Sequence, residues 1–272
     1  MVCAGRCFSF FSYSGRFLGF IMDELFSGRK LRVLLYGRNL EDLRPLLQGF
    51  PLDIVQEDPE LVITHGGDGS LLGAERLYPG IPKCPIRDRR QNPKCARHAE
   101  SSTLEKLFRG ELQKSYPSKV AAYFEGEEPR LLGLNDLVLS RGLLSSAIRY
   151  RIWVDGQLFC PQVVSDSLVL SSPFGSTGYF QSITHGNFKA GLGLAFNNAM
   201  DGLDFCVLPE DAVVKVQLLR GPAQLLADNN PQLCELQDND CFKAKLNEAQ
   251  TLFYGMDVFR CQECYQLRRN GC

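Results

Sequence analysis

The stretch Leu61-Val62-Ile63-Thr64-His65-Gly66-Gly67-Asp68-Gly69-Ser70 decides the fold. Leu61 to Thr64 is a short apolar, β-branched run that ends on glycine, which gives it strand character. From Ser70 onward, Leu71, Leu72, Ala74 and Leu77 take helical spacing. A strand is therefore expected to pass through a glycine turn directly into a helix. The same alternation recurs upstream. Leu31 to Tyr36 reads as a buried strand, Glu41 to Leu47 as a leucine-bearing helix, and Leu52 to Val55 as a second strand. Strands alternating with helices build a parallel sheet covered by helices. Downstream, Pro79, Pro82, Pro85 and Pro93 mark a connection. Ser102-Thr103-Leu104-Glu105 then has capping-box spacing for a helix that carries Leu104, Leu107 and Phe108 and stops at Gly110.

Beyond Tyr116 the pattern becomes one of strands. Ile148, Tyr150, Ile152 and Val154 alternate on one face, Asp155-Gly156 is a hairpin signal, and Leu158 to Cys160 returns. Val163 to Leu170, Val213 to Leu219 and Phe242 to Leu246 read as further strands. The expected fold is an α/β N-terminal domain with a Rossmann-like parallel sheet, followed by a mainly β, layered-sheet domain. Residues 22–114 form the first domain, 115–250 the second, and 251–272 a tail that packs back on the first. Residues 1–21 are aromatic-rich without helical period and are expected outside the fold, disordered or preceding a start at Met22.

The bulk numbers are those of an ordinary globular chain: 272 residues, 44% hydrophobic and 22% charged. A net charge of −1 gives no positive field that would draw nucleic acid, and no uninterrupted apolar run is long enough to span a bilayer. The basic cluster Arg87-Asp88-Arg89-Arg90 is either a solvated loop or a contact for an anionic ligand. Eleven scattered cysteines, an odd number, point to reduced thiols and a cytoplasmic location. Cys261-x-x-Cys264 has metal-ligand spacing, and Cys95-x-x-His98 could complete a zinc set. Nothing in the sequence joins the two pairs, so no resident metal site is expected.

Three segments carry chemistry. In the first, Gly66, Gly67 and Gly69 let backbone amides approach a phosphate, and the helix N-terminus after them favours an anion. Asp68 would repel phosphate, so it suits a base towards a hydroxyl, or a holder of a phosphate-bound metal. The second segment, Ser165 to Tyr179, delivers Asp166 and then Ser176, Thr177 and Tyr179 around Pro173 and Gly175, groups that either form a turn or meet a nucleotide. In the third, Asn135 and Asp136 interrupt an apolar run, where buried polar groups need partners.

In this order the three segments resemble the NAD kinase family, whose pattern is Gly-Gly-Asp-Gly, then an Asn-Glu pair, then an Asp-bearing strand leading into Pro-Thr-Gly-Ser-Thr-Ala-Tyr. The likeness spans roughly Leu31 to Phe253. It implies an NAD kinase-like fold and phosphorylation, by ATP, of the 2′-hydroxyl on the adenosine ribose of NAD. It also implies that Asp68 is the catalytic base, that Gly66, Gly67, Gly69 and Ser70 lie at the phosphates, and that Asn135, Asp136 and Asp166 contact NAD. Ser176, Thr177 and Tyr179 would sit near the adenine, Asp228-Asn229 where the family often carries an Asp-Gly turn. A divalent cation, Mg²⁺ or similar, would arrive with ATP, and a homo-oligomer (dimer or tetramer) is implied, with no nucleic-acid or membrane partner. Departures mark a divergent branch: Asp136 stands for Glu, Ser165 and Ser167 for glycines, Phe174 for Thr and Gly178 for Ala, and the family's Gly-Phe-Leu segment is missing. The alternatives are another small-molecule or lipid kinase on the same Gly-Gly-Asp-Gly scaffold, and a non-catalytic nucleotide-binding regulator.

Overall fold

A computed structural model describes residues 29–90, 95, 98–200, 202–247 and 251–270. The expected extension over 1–21 lies outside the described residues. In chain order the first elements are β1 (Leu31–Gly37), α1 (Leu40–Leu46), β2 (Leu52–Ile54), β3 (Leu61–Gly66), α2 (Asp68–Leu77), β4 (Lys83–Arg87), α3 (Glu100–Phe108) and β5 (Lys114–Ser115). Then come β6 (Lys119–Tyr123), β7 (Leu131–Gly133), β8 (Asp136–Arg141), β9 (Ile148–Val154), β10 (Gln157–Ser165), β11 (Ser167–Ser171) and, after a 3₁₀ turn at Gly175–Thr177, α4 (Tyr179–Thr184). The rest are β12 (Leu192–Asn197), β13 (Phe205–Leu208), β14 (Val214–Arg220), β15 (Ala223–Ala227), β16 (Cys234–Leu236), β17 (Cys241–Asn247), β18 (Phe253–Tyr254), α5 (Met256–Phe259) and α6 (Gln262–Asn270).

The first sheet has the order β2-β1-β3-β4-β18-β5. Its pairs are parallel from β2 through β18, and β5 closes it antiparallel. Leu31, Val33, Ile63, Cys84 and Ile86 from its strands share one core with Leu104 and Leu107 of α3 and with Tyr254. Each fully buried Leu or Ile there is worth about 1.5–3 kcal/mol. The proline-rich connection expected after Leu77 contains the strand β4 instead. Pro85 is tolerated because β18 pairs with β4 only at Lys83, leaving the proline beside an open edge.

The other two sheets are antiparallel, with orders β10-β9-β14-β17-β6-β7 and β13-β12-β11-β8-β15-β16. They face each other across one core that holds Tyr150, Ile152, Val216 and Phe242 from the first of them and Leu139, Leu168, Leu194 and Leu225 from the second. Asp155 and Gly156, with φ 50° and 78°, form the expected tight hairpin turn between β9 and β10.

Three local expectations change. The single strand read over Val163 to Leu170 breaks at Asp166: β10 belongs to one sheet and β11 to the other, so this aspartate sits at a sheet-to-sheet crossing. Helix α2 begins at Asp68, ahead of Ser70. Helix α3 begins at Glu100 with Ala99 at its cap, so Ser102 lies inside the first turn and does not cap it. There Glu100 pairs with Arg89 at 3.2 Å, and the Thr103 hydroxyl donates to the Ala99 carbonyl at 3.0 Å, which fixes the start.

A buried ionic cluster joins the α/β part to the layered sheets. Glu75 of α2, 4% exposed, meets Lys83 of β4 at 2.5 Å, Lys119 of β6, and the Thr251 hydroxyl at 2.5 Å. The expectation of unassociated thiols fails at one place. Because β18 returns beside β4, the C-terminal helices meet the segment before α3, and Cys95, His98, Cys261 and Cys264 converge.

Candidate active site

Strand β3 is buried along its whole length and ends on Gly66, after which Gly67 is partly buried. Gly66 has φ 140°, and a Cβ on it would lie 2.3 Å from the Ser70 hydroxyl oxygen, so only glycine fits that turn. His65 is buried, with Nδ1 2.7 Å from the Arg38 carbonyl, and serves to hold the strand end. Gly67 is the cap and Asp68 the first residue of α2, so the carboxylate stands where amide groups lack intrahelical partners. Gly69 is exposed and faces the Asn229 side chain.

Two arginines converge on Asp68. Arg87, at the end of β4 and 9% exposed, reaches its carboxylate at 3.1 Å. It also donates to the Phe259 carbonyl at 2.8 Å and stacks over the Phe259 ring at 4.0 Å. Arg260, directly after α5, stands 3.7 Å from the other carboxylate oxygen. Its guanidinium also covers the Phe174 ring at 3.6 Å and donates to the Phe174 carbonyl. Burial lowers the pKa of Arg260 from its ordinary value, Asp68 opposes this, and Arg87 adds to the lowering. The basic cluster therefore splits. Arg87 turns inward, whereas Arg89 and Arg90 make partly exposed pairs with Glu100, Glu41 and Asp42. Asp88 is buried and accepts from Asn39 and from the Arg90 amide.

The third segment is a corner between sheets: β7 ends at Gly133 and β8 starts at Asp136. Asp228 organises it by accepting the backbone N–H groups of Leu134, Asn135 and Asp136 at 2.9, 2.7 and 3.3 Å. Its neighbour Asn229 meets Gly69 and, at 3.4 Å, Arg76 of α2. The Asp228-Asn229 turn thus links the first segment to the third. The second segment leans on the same corner. A Cβ on Gly175 would lie 2.0 Å from the Asn135 carbonyl, and the Ser172 amide donates to that carbonyl at 2.8 Å. The Oδ1 of Asn135 is buried with no protein partner, a cost of roughly 1–3 kcal/mol that a donating ligand would relieve.

The remaining expected contacts fall in different places. Thr177 and Tyr179 are exposed, with the Tyr179 hydroxyl accepting from Asn197 at 3.2 Å. Ser176 is buried, and its hydroxyl is shared between the carbonyls of Pro173 and Phe188 at 2.8 and 2.9 Å. Asp166 lies beside Arg141, five residues along β8 from Asp136, or about 17 Å away. There its carboxylate is held by Arg141 at 2.7 Å and Asn198 at 3.0 Å. The structure therefore does not join Asp166 to the Asp68 cluster. Arg260 and Phe174 went unread as partners because the contact spans 86 positions and leaves no local pattern.

Burial pushes the Asp136 carboxyl up to about 7, and the Asp228 carboxylate beside it adds to the shift. Between the ordinary value of 3.8 and about 7, the folded chain holds a proton that the unfolded chain has released. This contribution to stability is full at low pH and is lost as pH rises through 7. Asp136→Asn is expected to lack that fall, so urea unfolding at stepped pH should show the variant gaining on the parent chain across this window. Parallel stability curves would contradict it.

No family model matches the chain. It is 30% identical over 168 residues to an NAD kinase of Azotobacter vinelandii, covering 56% of this chain and 57% of that one. With an NAD kinase of Gemmatimonas aurantiaca it shares 29% over 194 residues, 66% of each chain. The chain thus spans between about half and two thirds of the length of these curated relatives. An Archaeoglobus fulgidus NAD kinase solved with ATP superposes with a TM-score of 0.69 at 16% identity, over 88% of this chain and 99% of the other. A yeast NADH kinase solved with NADH gives 0.68 at 12% identity, over 90% and 87%. The chain is similar to NAD kinases in sequence and shares their fold.

Proposed function

We propose that this chain, a sequence and fold relative of the NAD kinases, is itself a kinase that transfers the γ-phosphoryl group of ATP to NAD. The observation that carries the proposal is the convergence of Arg87 and Arg260 on Asp68 at the start of α2. Guanidinium groups bind phosphate oxygens in the same bidentate way as carboxylates. Asp68 pairs with both. Incoming phosphates take them over, and Asp68 is released towards the acceptor hydroxyl. Asp68 then removes the 2′-hydroxyl proton of the adenosine ribose as that oxygen bonds to the γ-phosphorus. The bond to the β–γ bridging oxygen breaks, and ADP and NADP leave. Gly66, Gly67, Gly69 and Ser70 line the phosphates, and Asn135 and Asp136 hold ribose hydroxyls. Thr177 and Tyr179 lie at the adenine, with Ser176 shaping their loop. Asp166, set apart from this cluster, contacts NAD only if the ligand extends along β8 and β11.

Catalysis of this kind is positioning and charge neutralisation. The site fits a divalent cation carried by ATP better than a resident one. Among the described residues Asp228 is committed to three backbone amides, which leaves the carboxylates of Asp68 and Asp136, and Mg²⁺ keeps several waters when so few protein oxygens are offered. When bound, the ion neutralises phosphate charge. The expected division into 22–114, 115–250 and 251–272 belongs to the same proposal, as do a homo-oligomeric state and a cytoplasmic location. The separate apolar cores of the parallel sheet and the sandwich support the division. Among the described residues no helix is long and apolar enough to cross a membrane. An acceptor panel of NAD, NADH, sugars and lipids with ATP tests the reading. ADP should form with the dinucleotides; label entering an organic-phase product would favour the lipid-kinase alternative.

A further inference from the structure

Outside the site, the densest unexplained chemistry is the cluster of Cys95, His98, Cys261 and Cys264. Cys95 and Cys264 are 169 positions apart, yet the return of β18 beside β4 brings α5 and α6 against the segment that precedes α3. One ligand atom from each of the four residues lies within 4.8 Å of all the others. The Cys95 sulfur is 3.3 Å from His98 Nδ1, the Cys264 sulfur is 3.6 Å from the same nitrogen, and the two sulfurs are 3.6 Å apart. Tetrahedral zinc, with Zn–S near 2.3 Å and Zn–N near 2.0–2.1 Å, sets ligand edges of about 3.8 Å between sulfurs and about 3.5 Å between sulfur and nitrogen. The observed edges match that figure. They are too long for a disulfide, whose sulfurs stand about 2.05 Å apart.

We propose that Cys95, His98, Cys261 and Cys264 bind one zinc ion that staples the C-terminal helix to the segment before α3. Three soft thiolates and an imidazole select zinc over the hard cations that accompany nucleotides. Four protein ligands close the coordination shell, the mark of a structural ion and not a hydrolytic one. Its place in the fold gives it a use. Cys261 directly follows Arg260, the guanidinium that reaches Asp68 and covers Phe174. Fixing Cys261 and Cys264 therefore fixes the chain that carries Arg260. The ion positions that arginine and takes no part in phosphoryl transfer. This assignment does not rest on the kinase reading, and either can fail without the other.

Elemental analysis of the native protein, purified reduced and without chelator, is expected to find about one zinc per chain. Cys264→Ser should lose it, and Cys241→Ser, whose thiol bonds the Asn239 carbonyl elsewhere on the molecule, should keep it. Should Cys264→Ser fail to fold, cobalt(II) exchanged into the native protein decides, through thiolate charge-transfer bands and the intense visible bands of a tetrahedral site. Stripping the ion should also speed amide exchange across 256–267 about tenfold while the β9–β10 hairpin is unchanged. A native protein that is metal-free and gives no such cobalt spectrum, or a Cys264→Ser variant that retains its zinc, overturns the site. Exchange that is unchanged across 256–267 after the ion is removed overturns the staple.

Discussion

Asp68→Asn is expected to lower turnover about 10³-fold, inside the range of roughly 10²–10⁴ that a positioned general base contributes. The substitution keeps the shape of the side chain and its place in the first turn of α2. It removes the basic oxygen and the negative charge that Arg87 and Arg260 engage. Two guanidinium groups would then face the nucleotide without a competing carboxylate, so ATP affinity should hold or rise. Steady-state rates together with calorimetric binding of ATP and NAD separate the two effects. Turnover that survives with binding intact would remove Asp68 from the base role.

The largest effect expected on stability comes from Glu75→Gln, at about 3–5 kcal/mol, the usual cost of removing one partner from a buried ion pair. Glu75 stands between Lys83, fully buried, and Lys119, 8% exposed, and it accepts from Thr251 as well. Desolvation brings Lys83 down to about 8, with Glu75 opposing the fall. Without that carboxylate, two ammonium groups would share an interior with no counter-charge. The folded-state value of Lys83 would fall further while the unfolded lysine keeps its own. The folded variant would then shed the Lys83 proton before the folded parent does, so the deficit should narrow as pH rises to about 8, where the parent sheds it too. Urea unfolding at two pH values measures both the loss and its slope. A loss under about 1 kcal/mol would mean that the cluster contributes no more than a surface pair.

What could be read from the sequence was what is local. The strand–glycine–helix order around Asp68 and the hairpin at Asp155-Gly156 are short-range patterns, and both elements form as expected. Alternating strands and helices likewise predicted the parallel sheet. Pairings across long separations were not legible. No feature of Phe253-Tyr254 reveals that it joins the sheet beside Lys83, yet that pairing brings Arg260 to Asp68 and the four metal-ligand side chains together. The Asp228-Asn229 turn shows the same gap. Its pattern match is weak, and its physical role is strong, because one carboxylate gathers three amide groups at the corner that carries Asn135 and Asp136. Asp166 is legible as a motif but not in its position. The strand break there carries it to the far end of the sheet from Asp136.

The central claim is that the Asp68 loop and the Asn135–Asp136 corner serve one phosphoryl transfer to a dinucleotide. Its most direct test is to incubate the purified chain with ATP, Mg²⁺ and NAD and to analyse the products by phosphorus NMR and mass spectrometry. The account predicts equal amounts of ADP and of NAD phosphorylated on the 2′-hydroxyl of the adenosine ribose. Saturable NAD binding with no ADP and no phosphorylated dinucleotide would contradict it.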